Sequence, residues 1–494
     1  MSNNRELNNW EWECFEKFIK NESFYVTDSG PLAGSVTEFS IRRDQDLNLI
    51  LATTSLNPQE QTAKFPPETV FIPSDQIRFE NPSLGYSAFA YGILRKSRSD
   101  DYSLLETKGV LAKEISSVIA LEGVLSNEDP HYLIEWLENM GGPFIWPHSF
   151  SDQTMGGESR RTFHSPFGEI VLISRTGGDG LPQKWCFHCC VNISIEGIEL
   201  FIGSFHDLKA NHIKKPGFIL YKGNPSSEIK SKIRDCLAFS LGTYLIYLGF
   251  TSFDANWTPV SFRAESAEAI NSNDIRSLSR LPGPLGDQFE GEIHPEKLQR
   301  FVGALYSKYD TYQLQSTFWS YWHAMAAPVH MAAAHFGAAI EALQNVYIKS
   351  HRPSIKTTIL DDPPWDIVYR KIVDFIPSLL APEDRQIFLN KLQNLNRAPQ
   401  SIMMNRFLEA IGIQIGEVEN SAWKNRNRGA HGGSVQVDNA IKVIRENKAL
   451  MILMNRIILA ITNENDRYYD YYSIGRPTRI LRDPIPKERN NNAE

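Results

Sequence analysis

Residues 449–461 read Ala449-Leu-Met-Ile-Leu-Met-Asn455-Arg456-Ile-Ile-Leu-Ala-Ile461. Apart from Asn455 and Arg456, every position is apolar. A surface helix carries its apolar residues on one stripe, whereas a helix that is apolar all round is buried. The run is also interrupted, and it is shorter than the ~20 residues that a membrane span needs. The pattern therefore predicts a helix over 435–461 that forms the buried centre of a helical bundle.

Upstream of it, helical periodicity recurs at 294–309, 312–325, 329–349, 365–379, 382–395 and 401–411, followed by a polar stretch from Glu417. In 329–349, Phe336, Ile340, Leu343 and Tyr347 share one face. Pro328, Pro353, Pro363-Pro364 and Pro382 fall between helices, where proline is tolerated. Before residue 280 the character changes. Short β-branched and aromatic runs such as 47–53, 169–174 and 217–221 alternate with turn signals, including Gly85 and Gly177-Gly178-Asp179-Gly180. Helices are expected there at 10–19, 132–139 and 227–240, the last with Gly242 as its stop. Strands are expected at 244–250 and 257–262. Pro282-Gly283-Pro284 and Gly286 punctuate a linker-like stretch. The fold class that follows is α+β: a β-rich N-terminal domain over 1–280, a linker over 281–293, an all-α bundle over 294–480, and a charged, Asn-rich tail over 481–494 expected to be disordered.

The chain has 494 residues with a formal net charge of −7, which excludes a protein coated in basic residues. Residues 1–280 carry −9, 281–420 carry −3 and 421–494 carry +5, so a polyanion would meet the C-terminal part. Five cysteines, an odd and sparse set, fit a reducing compartment. The N-terminus is polar and acidic and does not read as a signal peptide. The expected location is cytoplasmic, with no membrane partner.

Phosphate-cradling GxxxxGK[ST], GxGxxG after a strand, HExxH and GxSxG do not occur, which removes most nucleotide hydrolases, dehydrogenases, zincins and α/β-hydrolases. Cys186, His188, Cys189 and Cys190, with His206 and His212 downstream, have the density of a zinc site. Their strand-like context would turn Cys186 and Cys189 to opposite faces. His323, His330 and His335 lie on bundle helices, and packing is the plainer role for them.

The segment 423–433, Trp-Lys424-Asn-Arg426-Asn427-Arg428-Gly429-Ala-His431-Gly432-Gly433, concentrates three cations, an imidazole and three glycines. Five residues subtend about 140° on a helix, so Arg426 and His431 converge only if the glycines break it. A guanidinium clamps a phosphate and stabilises charge that grows in the transition state. An imidazole moves a proton near neutral pH. RNA supplies its own nucleophile, the 2′-hydroxyl. The same cations near a helix C-terminus also simply complement its dipole.

Arg426-Asn427-x-x-x-His431 resembles the R-N-x-x-x-H motif of HEPN domains, compact all-helical domains found in many defence and toxin ribonucleases. Its position before a final long apolar helix is similar. The 335–347 helix with Glu341 resembles the HEPN helix that carries an acidic residue after an apolar stretch. The β-rich then helical layout resembles ApeA-like anti-phage proteins. The resemblance covers roughly 294–475. It implies a metal-independent endoribonuclease with no cofactor, acting on RNA, in ApeA-like proteins tRNA, in abortive antiviral defence. Arg426 would bind the scissile phosphate, His431 would act as general base or acid, and Asn427 would orient one of them. A homodimer would form a composite site. The N-terminal domain would sense a phage-derived trigger or restrain the nuclease. Gly337, Ala338, Gln344 and Asn345 are the i±3 and i±4 neighbours of Glu341, a small, polar stripe in which Glu341 either holds Arg426 or His431 or lies on a solvated face. Lys424 and Arg428 add backbone contacts to RNA or remain surface cations. Two alternatives stand beside this reading: a non-catalytic HEPN protein that binds RNA or nucleotide, and a zinc-dependent enzyme or zinc-stabilised sensor built on 186–190.

Overall fold

The computed structural model describes residues 24–29, 32, 35–56, 76–101, 111–140, 144–155, 158–165, 168–175, 183–204, 217–270, 273–278, 281, 283–286, 291–351, 354–375, 380–427 and 437–487. They fall into two compact units, Met1–Gly283 with Gln288–Gly303, and Pro284–Asp287 with Ala304–Glu494.

The first unit is built on one 15-stranded antiparallel sheet. Its strands are β1 (Tyr25–Asp28), β2 (Ser35–Arg43), β3 (Leu49–Leu56), β4 (Gln76–Asn81), β5 (Tyr86–Asp101), β6 (Leu111–Val124), β7 (Tyr132–Leu137), β8 (His148–Met155), β9 (Glu158–Ser165), β10 (Gly168–Arg175), β11 (Gln183–Ile195), β12 (Ile198–Ser204), β13 (Gly217–Lys222), β14 (Tyr247–Phe253) and β15 (Pro259–Glu265). The order is β1-β4-β5-β6-β15-β14-β7-β13-β12-β11-β8-β9-β10, with β3 joining β6 and β2 joining β3. One helix of length, α1 (Ser227–Leu241), and two short ones, α2 (Ala267–Ile270) and α3 (Asn273–Arg276), belong to this unit.

The helix expected over 132–139 is instead strand β7. It lies between β13 and β14, pairing Ile134 with Leu220 and with Thr251. Ile134 and Trp136 enter a core with Phe163, Phe201 and Phe218. Glu135 lies on the other face and meets Arg234 of α1. A strand covered on both faces has no period-2 alternation, and periodicity cannot separate such a run from a short helix. α1 holds as expected: Ser226 accepts the Ile229 N–H, and Gly242 ends the helix at φ 69°, a conformation glycine takes without a Cβ clash.

The second unit is helical. α4 (Pro295–Lys308), whose residues through Gly303 belong to the first unit, leads to α5 (Leu314–Ala326), α6 (Val329–Ser350), α7 (Asp362–Phe375), α8 (Pro382–Gln393), α9 (Gln400–Ala410), α10 (Glu417–Asn425) and α11 (Ala440–Thr462). α6 packs against α5, α9, α10 and α11. α11 is buried from Ala449 through Leu459, including the two polar residues of that stretch, Asn455 and Arg456. Lys308 Nζ donates to the Ile461 and Thr462 carbonyls at 2.7 and 3.2 Å, satisfying two groups that a helix end leaves open. Two short strands, β16 (Arg467–Tyr469) and β17 (Thr478–Ile480), pair after α11.

The tail expected to be disordered is placed through residue 487. Leu481 and Ile485 are buried, and the Ile485 N–H donates to Glu419 at 2.8 Å. Two apolar anchors among charged residues were enough to dock it. Residues 488–494 and the expected helix at 10–19 lie outside the described residues. Among the described residues, no helix is long and apolar enough to cross a membrane.

Candidate active site

The site is assembled from α10 outward. Glu417 and Glu419 in its first turn and Lys424 in its last complement the helix dipole. Glu419 Oε2 accepts the Gly416 N–H at 3.0 Å. Its Oε1 accepts the Ile485 N–H and, at 2.9 Å, Arg456 Nη1 from α11. Both side chains of this ion pair are fully buried. The other guanidinium donors reach the carbonyls of Gln414 (2.8 Å), Leu481 (3.1 Å) and Arg482 (3.1 Å). Burial pushes the Arg456 guanidinium below its ordinary pKa, while Tyr468 and Glu419 pull it back up. A buried pair is sustained only when its remaining groups are bonded, as they are here. At the other end of α10, Asn425 Nδ2 donates to Glu446 Oε1 of α11 at 2.7 Å. The helix is thus tied to α11 near both ends.

Arg426 follows as the C-terminal cap of α10. Its guanidinium carbon lies 3.9 Å from the Trp423 ring centroid, a cation–π distance. Nη1 donates to the Trp423 carbonyl at 2.7 Å, and Nη2 donates to Glu341 Oε1 of α6. The Arg426 side chain is 13% exposed and that of Glu341 is 36% exposed. Arg426 crosses α6 at Gly337, one turn before Glu341: an ideal Cβ at 337 would stand 2.7 Å from Arg426 Cδ. Glu341 therefore does not lie on a purely solvated face.

The polar stripe expected around Glu341 is split. Gln344 turns inward, fully buried, and accepts from Gln400 Nε2 at 2.8 Å, while Ala338 and Asn345 are exposed. Lys424 and Asn427 are exposed beside Arg426 in the chain. His431 and Arg428, with the three glycines, lie outside the described residues. Sequence reasoning gave Trp423 no role and counted Gly337 only among the small neighbours of Glu341. The signals were a Trp three residues before Arg426 and a Gly four residues before Glu341, both helix-neighbour spacings.

The cysteine–histidine cluster is described only in part. Cys189 and Cys190 are buried in the sheet core. The side chains of Cys186 and His188, and all of His206 and His212, lie outside the described residues. In the bundle, His330 and His335 are exposed. His323 packs its ring against Trp319 at 4.0 Å, and burial, aided by His335, lowers its pKa.

No family model matches the sequence, and neither a curated protein nor a solved structure is detectably similar to it.

Proposed function

We propose that the chain is a metal-independent endoribonuclease of HEPN type, with tRNA as the expected substrate and antiviral defence as its setting. The supporting observation is the fixed guanidinium of Arg426. Trp423 and Glu341 hold it at the end of α10, immediately before the 428–436 segment that carries His431. Among the described residues, Glu341 and the Trp423 carbonyl take two of its N–H groups, and a guanidinium has three more with which to meet a phosphate.

In the proposed reaction His431 removes the proton of the ribose 2′-hydroxyl. O2′ attacks phosphorus, the P–O5′ bond breaks, and O5′ takes a proton. The products are a 2′,3′-cyclic phosphate and a 5′-hydroxyl. Arg426 stabilises charge on the non-bridging oxygens, Asn427 orients the imidazole or the phosphate, and Lys424 and Arg428 contact the RNA backbone. Glu341 acts through Arg426 as a positioning residue. A second copy of the chain is the proposed partner. α7 and α8 expose Ile367, Phe375, Ile387 and Phe388, an apolar face of the kind a subunit contact covers.

A second reading, RNA binding without cleavage, is favoured by the carboxylate already paired with Arg426. One experiment separates the two. Purified protein is incubated with tRNA in EDTA beside Arg426→Ala and His431→Ala. Cleavage that survives EDTA and is lost in both variants supports the nuclease. Binding without cleavage in the unaltered protein supports the second reading.

A further inference from the structure

The first unit holds a cavity of about 810 Å³ between α1 and the sheet, within the 300–1,000 Å³ range of small-molecule sites. Ser227, Lys230, Ser231 and Arg234 line it from α1, at the i, i+3, i+4, i+7 spacing of one helix face. Aromatic rings from the sheet side, Phe89, Tyr91, Tyr247 and Phe250, line it as well.

The charges in this cavity are not equivalent. Arg234 pairs with buried Glu135, which also accepts from Tyr221 Oη at 3.0 Å. Arg263 pairs with Glu122, and with Glu265 at 2.5 Å. Lys230 is different. It is only 4% exposed, yet no hydrogen bond or ion pair holds its ammonium among the described residues. Its Nζ instead stands 4.4 Å from the centroid of the Phe250 ring. A buried cation held by no hydrogen bond or close ion pair of its own is costly, and a methionine or leucine would fill the same space more cheaply. Burial lowers its pKa and the Arg234 cation adds to that, while the Glu135 carboxylate, itself paired with Arg234, pulls it part of the way back. The cavity runs along the first turns of α1, whose dipole also favours negative charge.

We propose that this cavity is a binding site for a planar organic anion of nucleotide size, its acidic group on Lys230 and its ring among the aromatic side chains. Lys230 supplies a point charge, and the rings supply stacking area that a bare inorganic anion would leave unused. The site does not depend on the nuclease reading, because every residue in it belongs to the first unit.

The test uses the full chain in isothermal titration calorimetry with the four nucleoside 5′-monophosphates as probes. Adenosine and inorganic phosphate serve as the ring-only and anion-only arms. At least one monophosphate is expected to bind, at least tenfold more tightly than either arm. Lys230→Met is expected to weaken that binding at least tenfold while raising the melting temperature, since it removes a buried charge that no hydrogen bond or close ion pair holds among the described residues. Phe250→Leu is expected to weaken it with Lys230 in place. Failure of all four monophosphates to bind overturns the proposal, and so does binding that Lys230→Met leaves unchanged. A melting temperature lowered by Lys230→Met also overturns it, because that would mark Lys230 as a structural cation.

Discussion

Gly337 of α6 and Arg426 after α10 occupy adjoining space. A Cβ at position 337 would lie 2.7 Å from Arg426 Cδ and 3.2 Å from Cγ. A glycine inside a helix ordinarily costs roughly 0.5–1 kcal/mol relative to alanine. Here the missing Cβ lets the arginine lie across the helix and reach Glu341 one turn further on.

Gly337→Ala therefore sets two effects against each other. Helix propensity favours alanine by about 0.5–1 kcal/mol, and displacing a mostly buried arginine opposes it. The net change in stability is expected to stay within about 1 kcal/mol, whereas the proposed RNA cleavage is expected to fall at least tenfold. Thermal unfolding and a tRNA cleavage assay read the two separately. Unchanged cleavage would show that the position of the guanidinium does not matter.

Glu341 is more than one-third exposed, so solvent screens its pair with Arg426. Glu341→Gln should change stability by less than about 1 kcal/mol. It keeps an acceptor for Nη2 but not the charge. Cleavage is expected to fall by about 10–100-fold in Glu341→Ala, the usual scale for a residue that orients another, and by less in Glu341→Gln. Equal losses in the two variants would assign the effect to charge alone.

Much of this arrangement was legible in the sequence because it follows local patterns. The apolar 449–461 run gave a buried helix, the glycine after 227–241 ended one, and Arg426 stood out by composition. Other features depended on partners far along the chain. Tyr132–Leu137 is a strand because β13 and β14 flank it and α1 covers one face, none of which its own six residues reveal. Likewise Asn455 and Arg456 interrupt the apolar run as sequence, yet in the fold both are buried, Arg456 against Glu419 on another helix. The pairing of Arg426 with Glu341 spans 85 residues and stood in the sequence only as one of two readings of Glu341, beside a solvated face.

His148 gives the first unit a pH-dependent stability. It is buried, and its Nδ1 accepts the Asn192 N–H at 2.9 Å, a role only the unprotonated nitrogen can fill. Burial lowers its pKa from the ordinary value. Between the lowered folded value and about 6.5, the unfolded chain binds the extra proton, so stability rises with pH. The contribution is complete above about 6.5 and is lost as pH falls toward the folded value. Urea unfolding between about pH 7.5 and 5 should show a steeper loss in the unaltered protein than in His148→Asn, by at most ~1.4 kcal/mol per pH unit for one proton. Parallel profiles would mean that the ring titrates freely in the fold.

The Glu419–Arg456 pair should be the most sensitive polar contact in the helical unit. Glu419 receives three donors: the guanidinium, the Gly416 N–H at the start of α10 and the Ile485 N–H of the docked tail. Glu419→Ala removes both oxygens that serve these three donors and leaves a fully buried guanidinium without its ion-pair partner. Breaking a buried pair from one side costs about 3–5 kcal/mol. Glu419→Gln keeps one acceptor oxygen and the side-chain volume, so it should cost less. Arg456→Met with Glu419→Ala removes the stranded charge, so the double variant is expected to be more stable than Glu419→Ala alone. Denaturant unfolding of the three variants gives the ordering. Because α10 carries Arg426 at its end, Glu419→Ala should also loosen the site, seen as faster amide exchange at 423–426. An unchanged exchange rate there, together with the expected loss of stability, would show that the Trp423, Asn425 and Glu341 contacts suffice to hold Arg426.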